Sequence, residues 1–278
     1  MVIGVLGKGG SGKSTVATVL VQHLHQAGKT VLAIDADHNM DLAYNLGYVG
    51  EGPYMGGTFL SLRNTFGLHD TEPTETLFTG TIPSERFSFT LPDWYSQEYV
   101  HQLKSRLHLM MSGPQNEQVL YGAHCSHSLA APLKIYLPLL DLGADEMVVV
   151  DEKASVDAVS TGIPTGFDVA VVVVEPRIHS LRAGKQIIDT LRWYDVPHVV
   201  VLNKQKHDDD GFLVAQACGQ SPICAFPMSL DPLSGHQKVS TLCAQLLCEA
   251  QRQIEGGSSR LSRTIEKYKR NAAWQTTA

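Results

Sequence analysis

The residues with the clearest chemistry stand together near the start of the chain, where Gly7 to Thr15 read GKGGSGKST. Gly7, Gly12, Lys13 and Ser14 meet the pattern G-x-x-x-x-G-K-[ST]. Each type has a task in holding a triphosphate. The glycines let backbone N–H groups turn inward around phosphate oxygens. The lysine reaches the β- and γ-phosphates, and the serine hydroxyl is a ligand for Mg²⁺. Gly9, Gly10, Ser11, Gly12, Lys13, Ser14 and Thr15 are the expected nucleotide contacts. One residue exceeds the requirement, because Lys8 adds a second lysine to the loop.

Acids and an amide follow at strand ends. Asp35-Ala36-Asp37 closes the apolar run Thr30 to Ile34, and His38-Asn39-Met40-Asp41 comes next. A carboxylate just past a strand's C-terminal end lies in the crevice where doubly wound sheets bind ligands. Asp151 ends the run Met147 to Val150, the form in which an acid holds Mg²⁺ or its water. Asn203-Lys204 follows the run His198 to Leu202. An asparagine amide offers both a donor and an acceptor, the pair needed to read an adenine edge.

These groups need strands and helices in alternation to hold them. Val2 to Leu6 is a short apolar run, and Val16, Val19, Leu20 and Leu24 recur at helical spacing behind the loop. Thr30 to Ile34, Leu107 to Met111, Met147 to Val150, Val169 to Val174 and His198 to Leu202 read as strands, and Ser180 to Tyr194 as a helix. Near-continuous β-branched runs suit strands covered on both faces. The expected fold is α/β, a doubly wound, mostly parallel sheet with helices on both faces, as one domain over 1–278. Within it, 51–106 is an insertion-like segment, weakly periodic and rich in Gly, Pro, Thr and Ser, expected as short helices and loops beside the nucleotide face. Leu129 to Leu142 reads as a helix that Pro132 and Pro138 can kink or split. The tail 251–278 reads as a terminal helix with Leu261, Ile265 and Tyr268 in register.

Composition fits a cytoplasmic enzyme. The 278 residues suffice for one large core. A net charge of −6 advertises no broad basic field for nucleic acid. No apolar run approaches the roughly 20 residues that span a bilayer, and the chain enters its first strand at once, leaving no room for a signal peptide. Five cysteines lack the rhythm of a disulfide framework. Cys218, Cys224, Cys243 and Cys248 read as buried apolar thiols, and His207 with Asp208, Asp209 and Asp210 as a solvated loop. Arg260, Arg263, Lys267, Lys269 and Arg270 give the tail a basic face. The apolar face beside it, Leu261, Ile265 and Tyr268, is short for membrane binding, so packing onto the domain is expected rather than membrane contact.

Lys8-Gly9-Gly10, taken with Gly12, Lys13 and Ser14, resembles the deviant Walker A class of ATPases, whose loop reads K-G-G-x-G-K-[ST]. The class includes partition and septum-site ATPases, nitrogenase iron protein and the nickel-insertion ATPases of carbon monoxide dehydrogenase. The resemblance implies ATP and ADP as ligands with Mg²⁺, ATP hydrolysis, and a homodimer formed on ATP binding. In it Lys8 crosses to the partner's phosphates, as an arginine finger does. It gives Asp37 the task of orienting the attacking water, Asp35 a place in the Mg²⁺ shell beside Ser14 and Asp151, and Asp41 a part in relaying switch movement. Asn203 would contact the base, and Pro227 would pack on it. Two departures stand out. His38 replaces the proline usual after the second acid, and Ala154 replaces a glycine usual after the Walker B acid. The run Asp151-Glu152-Lys153-Ala154 is close to the D-x-E-A of the nickel-insertion ATPases.

Cys125 sits where the class carries metal-binding cysteines. No further cysteine lies between Cys125 and Cys218, so a four-thiolate cluster, which needs two per subunit, loses its support. Cys125 with His127, and His124 adjacent, would supply a Cys₂His₂ set across a twofold axis, a set that suits Zn²⁺, or Ni²⁺ in another geometry. The first functional expectation is a maturation ATPase of the nickel-insertion type with a client metalloenzyme. The alternative is a positioning or partition ATPase without a metal.

Overall fold

Eight strands build one sheet: β1 (Val2–Gly7), β2 (Thr30–Asp35), β3 (His101–Lys104), β4 (Leu107–Met111), β5 (Glu146–Asp151), β6 (Val169–Val174), β7 (His198–Gln205) and β8 (Cys224–Pro227). The computed structural model describes residues 1–68, 72, 74–80, 82–91, 93–115, 117–122, 125–154, 159–228, 237–255 and 257–275. The strand order is β3-β4-β2-β5-β1-β6-β7-β8. Every neighbouring pair is parallel except β3 with β4. The chain works outward from β1 on one side, returns through β5, and then builds the other side. That reversal places the ligand crevice over the C-terminal end of β1.

Strand β6, Val-Ala-Val-Val-Val-Val, is buried along its whole length. Successive side chains alternate between faces. Ala170, Val172 and Val174 join Leu6, Leu32, Ile34, Val150 and Leu202 in one core. Val169, Val171 and Val173 join Ile3, Val5, Ala33, Val149 and Val201 in the other. Helices α1 (Lys13–Gln26) and α4 (Gln237–Ile254) cover the second core through Val16, Leu20, Leu24, Cys243, Leu246 and Ala250. Helices α2 (Ile178–Trp193), α3 (Asp210–Cys218) and α5 (Arg260–Gln275) cover the first through Ile187, Leu191, Val214 and Tyr268. Each valine, leucine or isoleucine among them contributes about 1.5–3 kcal/mol on burial.

The middle segment forms the short helices Phe59–Thr65, Glu75–Thr79 and Trp94–Tyr99. The Asp93 carboxylate caps the last, accepting from the Tyr95 and Ser96 amides at 2.9 and 2.8 Å. The segment starts at the C-terminal edge of the sheet, where the Met55 and Gly56 amides bond the Met111 and Ser112 carbonyls, and it fills the first core with aromatic rings. Phe87 and Tyr95 pack on Tyr136 at 5.0 and 5.7 Å, and Phe78 stacks on Tyr268 at 5.4 Å. The stretch from 129 to 142 is divided, as its prolines allow: a 3₁₀ turn, Ser126–Ala130, then a single helical turn, Leu133–Tyr136.

Two smaller expectations change. Cys218, Cys224 and Cys243 are buried, whereas Cys248 is exposed on α4. Asp210 is buried rather than solvated, because its carboxylate accepts the Lys206 and His207 amides at 2.7 and 3.0 Å where α3 begins. The tail holds the last turn of α4 and then the expected terminal helix, α5, whose Arg260, Arg263 and Lys267 turn inward. Arg260 bonds the Leu137 and Leu140 carbonyls and pairs with Asp168 at 3.3 Å. Arg263 bonds the carbonyls of Ser258 and Phe167, and the Lys267 ammonium lies 4.1 Å from the Tyr268 ring centre. Among the described residues no helix is long and apolar enough to cross a membrane.

Candidate nucleotide site

Strand β1 runs straight into the glycine loop, and α1 starts at Lys13. Gly10 and Gly12 take φ of 80° and 91°, the left-handed region that favours glycine. Gly12 is doubly constrained, since a Cβ there would lie 2.1 Å from Asn203 Nδ2. The Ser11 amide closes a turn on the Lys8 carbonyl at 3.1 Å. The loop borders a cleft of about 550 Å³. Gly9, Gly10, Gly12, Lys13, Ser14 and Thr15 form its floor, Asp37, Asn39 and Asp41 one wall, and Ala154, Asn203, Lys204, Pro227 and Met228 the rest. A second cleft of about 500 Å³, between α2 and α5, carries none of this phosphate machinery.

Asp151 supplies the strongest sign of a cation site. Both of its carboxylate oxygens are buried, and among the described residues the Ser14 hydroxyl is the one hydrogen-bonding group close to them. Burial pushes its carboxyl up to about 7, with the Ser14 hydroxyl and the Lys13 ammonium opposing and Asp37 and Asp41 reinforcing. Buried carboxylate oxygens beside a hydroxyl are a hard-oxygen donor set, and they fit Mg²⁺.

A family model described as the CobQ/CobB/MinD/ParA nucleotide binding domain matches residues 2–274. The chain belongs to this family. It is 31% identical over 193 residues to an uncharacterised ATP-binding protein of Methanocaldococcus jannaschii, covering 67% of this chain and 72% of that one. It is 29% identical over 189 residues to the carbon monoxide dehydrogenase accessory protein CooC of Rhodospirillum rubrum, covering 67% of each. Among solved structures, the cell division ATPase MinD of Pyrococcus furiosus superposes with a TM-score of 0.60 at 17% identity, over 90% of this chain and 98% of that one. A putative plasmid partition protein of Borrelia burgdorferi bound to AMPPNP gives 0.56 at 16%, over 91% and 98%. At these identities the structural likeness is one of fold.

The remaining residues take their places in this CobQ/CobB/MinD/ParA domain as follows. Lys13 is 6% exposed, while Lys8 in the same loop is exposed and is not part of the cleft lining. Asp37 lines the cleft, with His38 Nδ1 3.1 Å from its Oδ1 and the Asn39 amide donating to the same oxygen at 3.2 Å. Asp41 is exposed and opens the helix Asp41–Asn45. Asp35 lies beneath the cleft rather than in its lining. It accepts the Ala43 amide at 2.9 Å and the Asp37 amide at 3.2 Å, and burial, then the Asp151 charge, hold its carboxyl well above the usual range. Asn203 donates its amide to the Ser11 carbonyl at 2.8 Å, and Pro227 lines the far wall.

Sequence reasoning missed three participants. Lys204 Nζ bonds the Gly10 carbonyl and Glu175 Oε1. Glu175 follows a strand as Asp37 does, and that signal could have found it. Glu152 is buried behind Asp151, and burial pushes its carboxyl up to about 8. Cys125 is exposed ahead of the 3₁₀ turn, where the Lys153 ammonium bonds the Ser126 hydroxyl. His124 and the His127 side chain lie outside the described residues. Among those described, no cluster of three or more His, Cys, Asp or Glu side chains could hold a metal.

Proposed function

We propose that this protein binds ATP with Mg²⁺, hydrolyses it to ADP and phosphate, and closes on ATP with a second copy of itself. The observation that carries this reading is the pair of lysines in one loop. Lys13 is buried against the phosphate floor, whereas Lys8 is exposed, with no side-chain hydrogen bond or ion pair among the described residues. An exposed cation beside a phosphate loop that already has its own lysine is available to a neighbour's phosphates.

The loop N–H groups and Lys13 hold the phosphates in place. Ser14 and Asp151 would hold Mg²⁺, which supplies neutralising charge between the phosphates. Asp37, on the cleft wall, orients a water towards the γ-phosphorus. A new P–O bond forms from that water as the bond to the β-phosphate oxygen breaks. The partner's Lys8 would offset the negative charge spread over the transferring group, a contribution of about 10³–10⁵ in rate by analogy with arginine fingers. Loss of the γ-phosphate removes that contact, and the dimer loosens.

The likeness to CooC supports placing this switch in metalloenzyme maturation of the nickel-insertion type, with Cys125 and His127 as candidate ligands for Zn²⁺ or Ni²⁺ and a client metalloenzyme as partner. A positioning or partition role is the competing reading, supported by the MinD-like and partition-protein-like fold. Its membrane form is weakened by Arg260, Arg263 and Lys267, which are engaged within the domain. Sedimentation velocity with a non-hydrolysable ATP analogue tests the core of the proposal. The wild type is expected to shift from monomer to dimer while Lys8→Ala still binds nucleotide and stays monomeric. An identical shift in both removes the role given to Lys8.

A further inference from the structure

Asn203 and Lys204, consecutive residues of β7, grip consecutive carbonyl groups of the phosphate loop. Asn203 Nδ2 donates to the Ser11 carbonyl at 2.8 Å, and Lys204 Nζ to the Gly10 carbonyl at 2.5 Å. A regular strand forbids this, because successive side chains point to opposite faces. Two local departures accompany the exception. Lys204 takes a φ of 57°, uncommon for a residue with a side chain. The register of β7 against β8 also shifts between Asn203 and Gln205. Backbone strain of this kind persists only where the surroundings enforce it, and it gathers at functional sites.

The lysine carries its own counter-charge. Its ammonium lies 2.6 Å from Glu175 Oε1, and Glu175 is 7% exposed just past the end of β6, with its amide tied to Ser180 Oγ at 2.9 Å. The ammonium is thus fixed between a buried carboxylate and a loop carbonyl. A planar trans peptide sets the C=O of one residue opposite the N–H of the next. Lys204 therefore aims the Ser11 amide, which closes the turn on the Lys8 carbonyl at 3.1 Å. Asn203 in the same way aims the Gly12 amide. A loop with glycines at 9, 10 and 12 loses much conformational freedom on ordering, and a fastening made within the fold removes that cost from ligand binding.

We propose that Asn203 and Lys204, with Glu175 as counter-charge, form a two-pronged staple that holds the phosphate loop in its binding shape before nucleotide arrives. They act as positioning residues for the phosphates. The proposal rests on the cleft being the nucleotide site.

Calorimetric titration with Mg²⁺-ATP and with Mg²⁺-tripolyphosphate, which has no base, separates the two tasks. Lys204→Met is expected to weaken both ligands by the same factor, about tenfold, the scale of one charged hydrogen bond. Lys204→Arg, which keeps the charge, is expected to stay within about threefold of wild type. Hydrogen exchange of the ligand-free protein supplies a second readout, with the amides of residues 9–12 expected to exchange faster in Lys204→Met and in Glu175→Gln while those of β6 are unchanged. A loss for ATP with none for tripolyphosphate, or no loss for either, overturns the staple. A wild type that binds neither ligand overturns the reading of the cleft, and the staple with it.

Discussion

Asp35 Oδ2 accepts the Ala43 amide at 2.9 Å, so the acid at the end of β2 ties down the segment that carries Asp37 and Asp41. Its other oxygen takes the Asp37 amide at 3.2 Å. Asp35→Ala leaves both N–H groups without that acceptor, and the expected cost is about 1–3 kcal/mol in urea unfolding. Asp35→Asn keeps one acceptor and is expected to cost less. Equal stability of wild type and both variants would show that the brace carries no weight.

The raised carboxyl of Asp151 makes stability and cation affinity respond to pH in opposite directions. Its folded value, about 7, stands above the 3.8 of an unperturbed aspartate. Between these values the folded chain holds a proton that the unfolded chain has lost, so ligand-free stability from this group rises as pH falls. Asp151→Asn is accordingly expected to be more stable than wild type at pH 8, with the advantage shrinking as pH falls through 7 towards 4. Mg²⁺ requires the ionised form, so its affinity in the nucleotide complex is expected to fall by about tenfold for each pH unit below 7. A Mg²⁺ titration that keeps the same pH slope in Asp151→Asn would reassign the proton.

The loop and the strand ending at Asp151 were legible because their information is local: a run of apolar residues, then a fixed spacing of Gly, Lys and Asp. Strand β3 was not legible. His101–Lys104 has four residues alternating between half-buried and exposed at the sheet's antiparallel edge. Lys204 and Glu175 stand 29 residues apart in sequence, and their pairing depends on β6 and β7 lying side by side. The basic residues of α5 read as a polar face, yet Asp168 and the carbonyls of Leu137, Leu140 and Phe167 meet them from distant segments. Periodicity reports that a face is polar and says nothing of what it faces.

That inward turn of α5 predicts the behaviour of the tail at membranes. With Arg260, Arg263 and Lys267 engaged within the domain, the protein is expected to remain in the supernatant when centrifuged with anionic phosphatidylserine vesicles. Tyr268→Ala removes the ring stacked on Phe78 and is expected to cost about 3 kcal/mol in thermal or urea unfolding. Cosedimentation of the wild type, lost on deleting 260–275, would instead make α5 a detachable membrane anchor.

Cys125 is the residue whose role experiment can decide most sharply. It is exposed, and the next residue, Ser126, is bonded by Lys153, whose neighbour Ala154 lines the nucleotide cleft. A change of nucleotide therefore has a short physical route to the Cys125 segment. In the reading proposed above, one Cys and one His from each of two chains would complete a tetrahedral Zn²⁺ set that neither chain holds alone. Equilibrium dialysis with Zn²⁺ and with Ni²⁺ is expected to give one ion for every two chains, bound more tightly with an ATP analogue than with ADP. Binding is expected to disappear in Cys125→Ser, and His127→Ala is expected to weaken it. Equal stoichiometry in wild type and Cys125→Ser would remove the metal from this site and leave a nucleotide switch whose output lies with a protein partner alone.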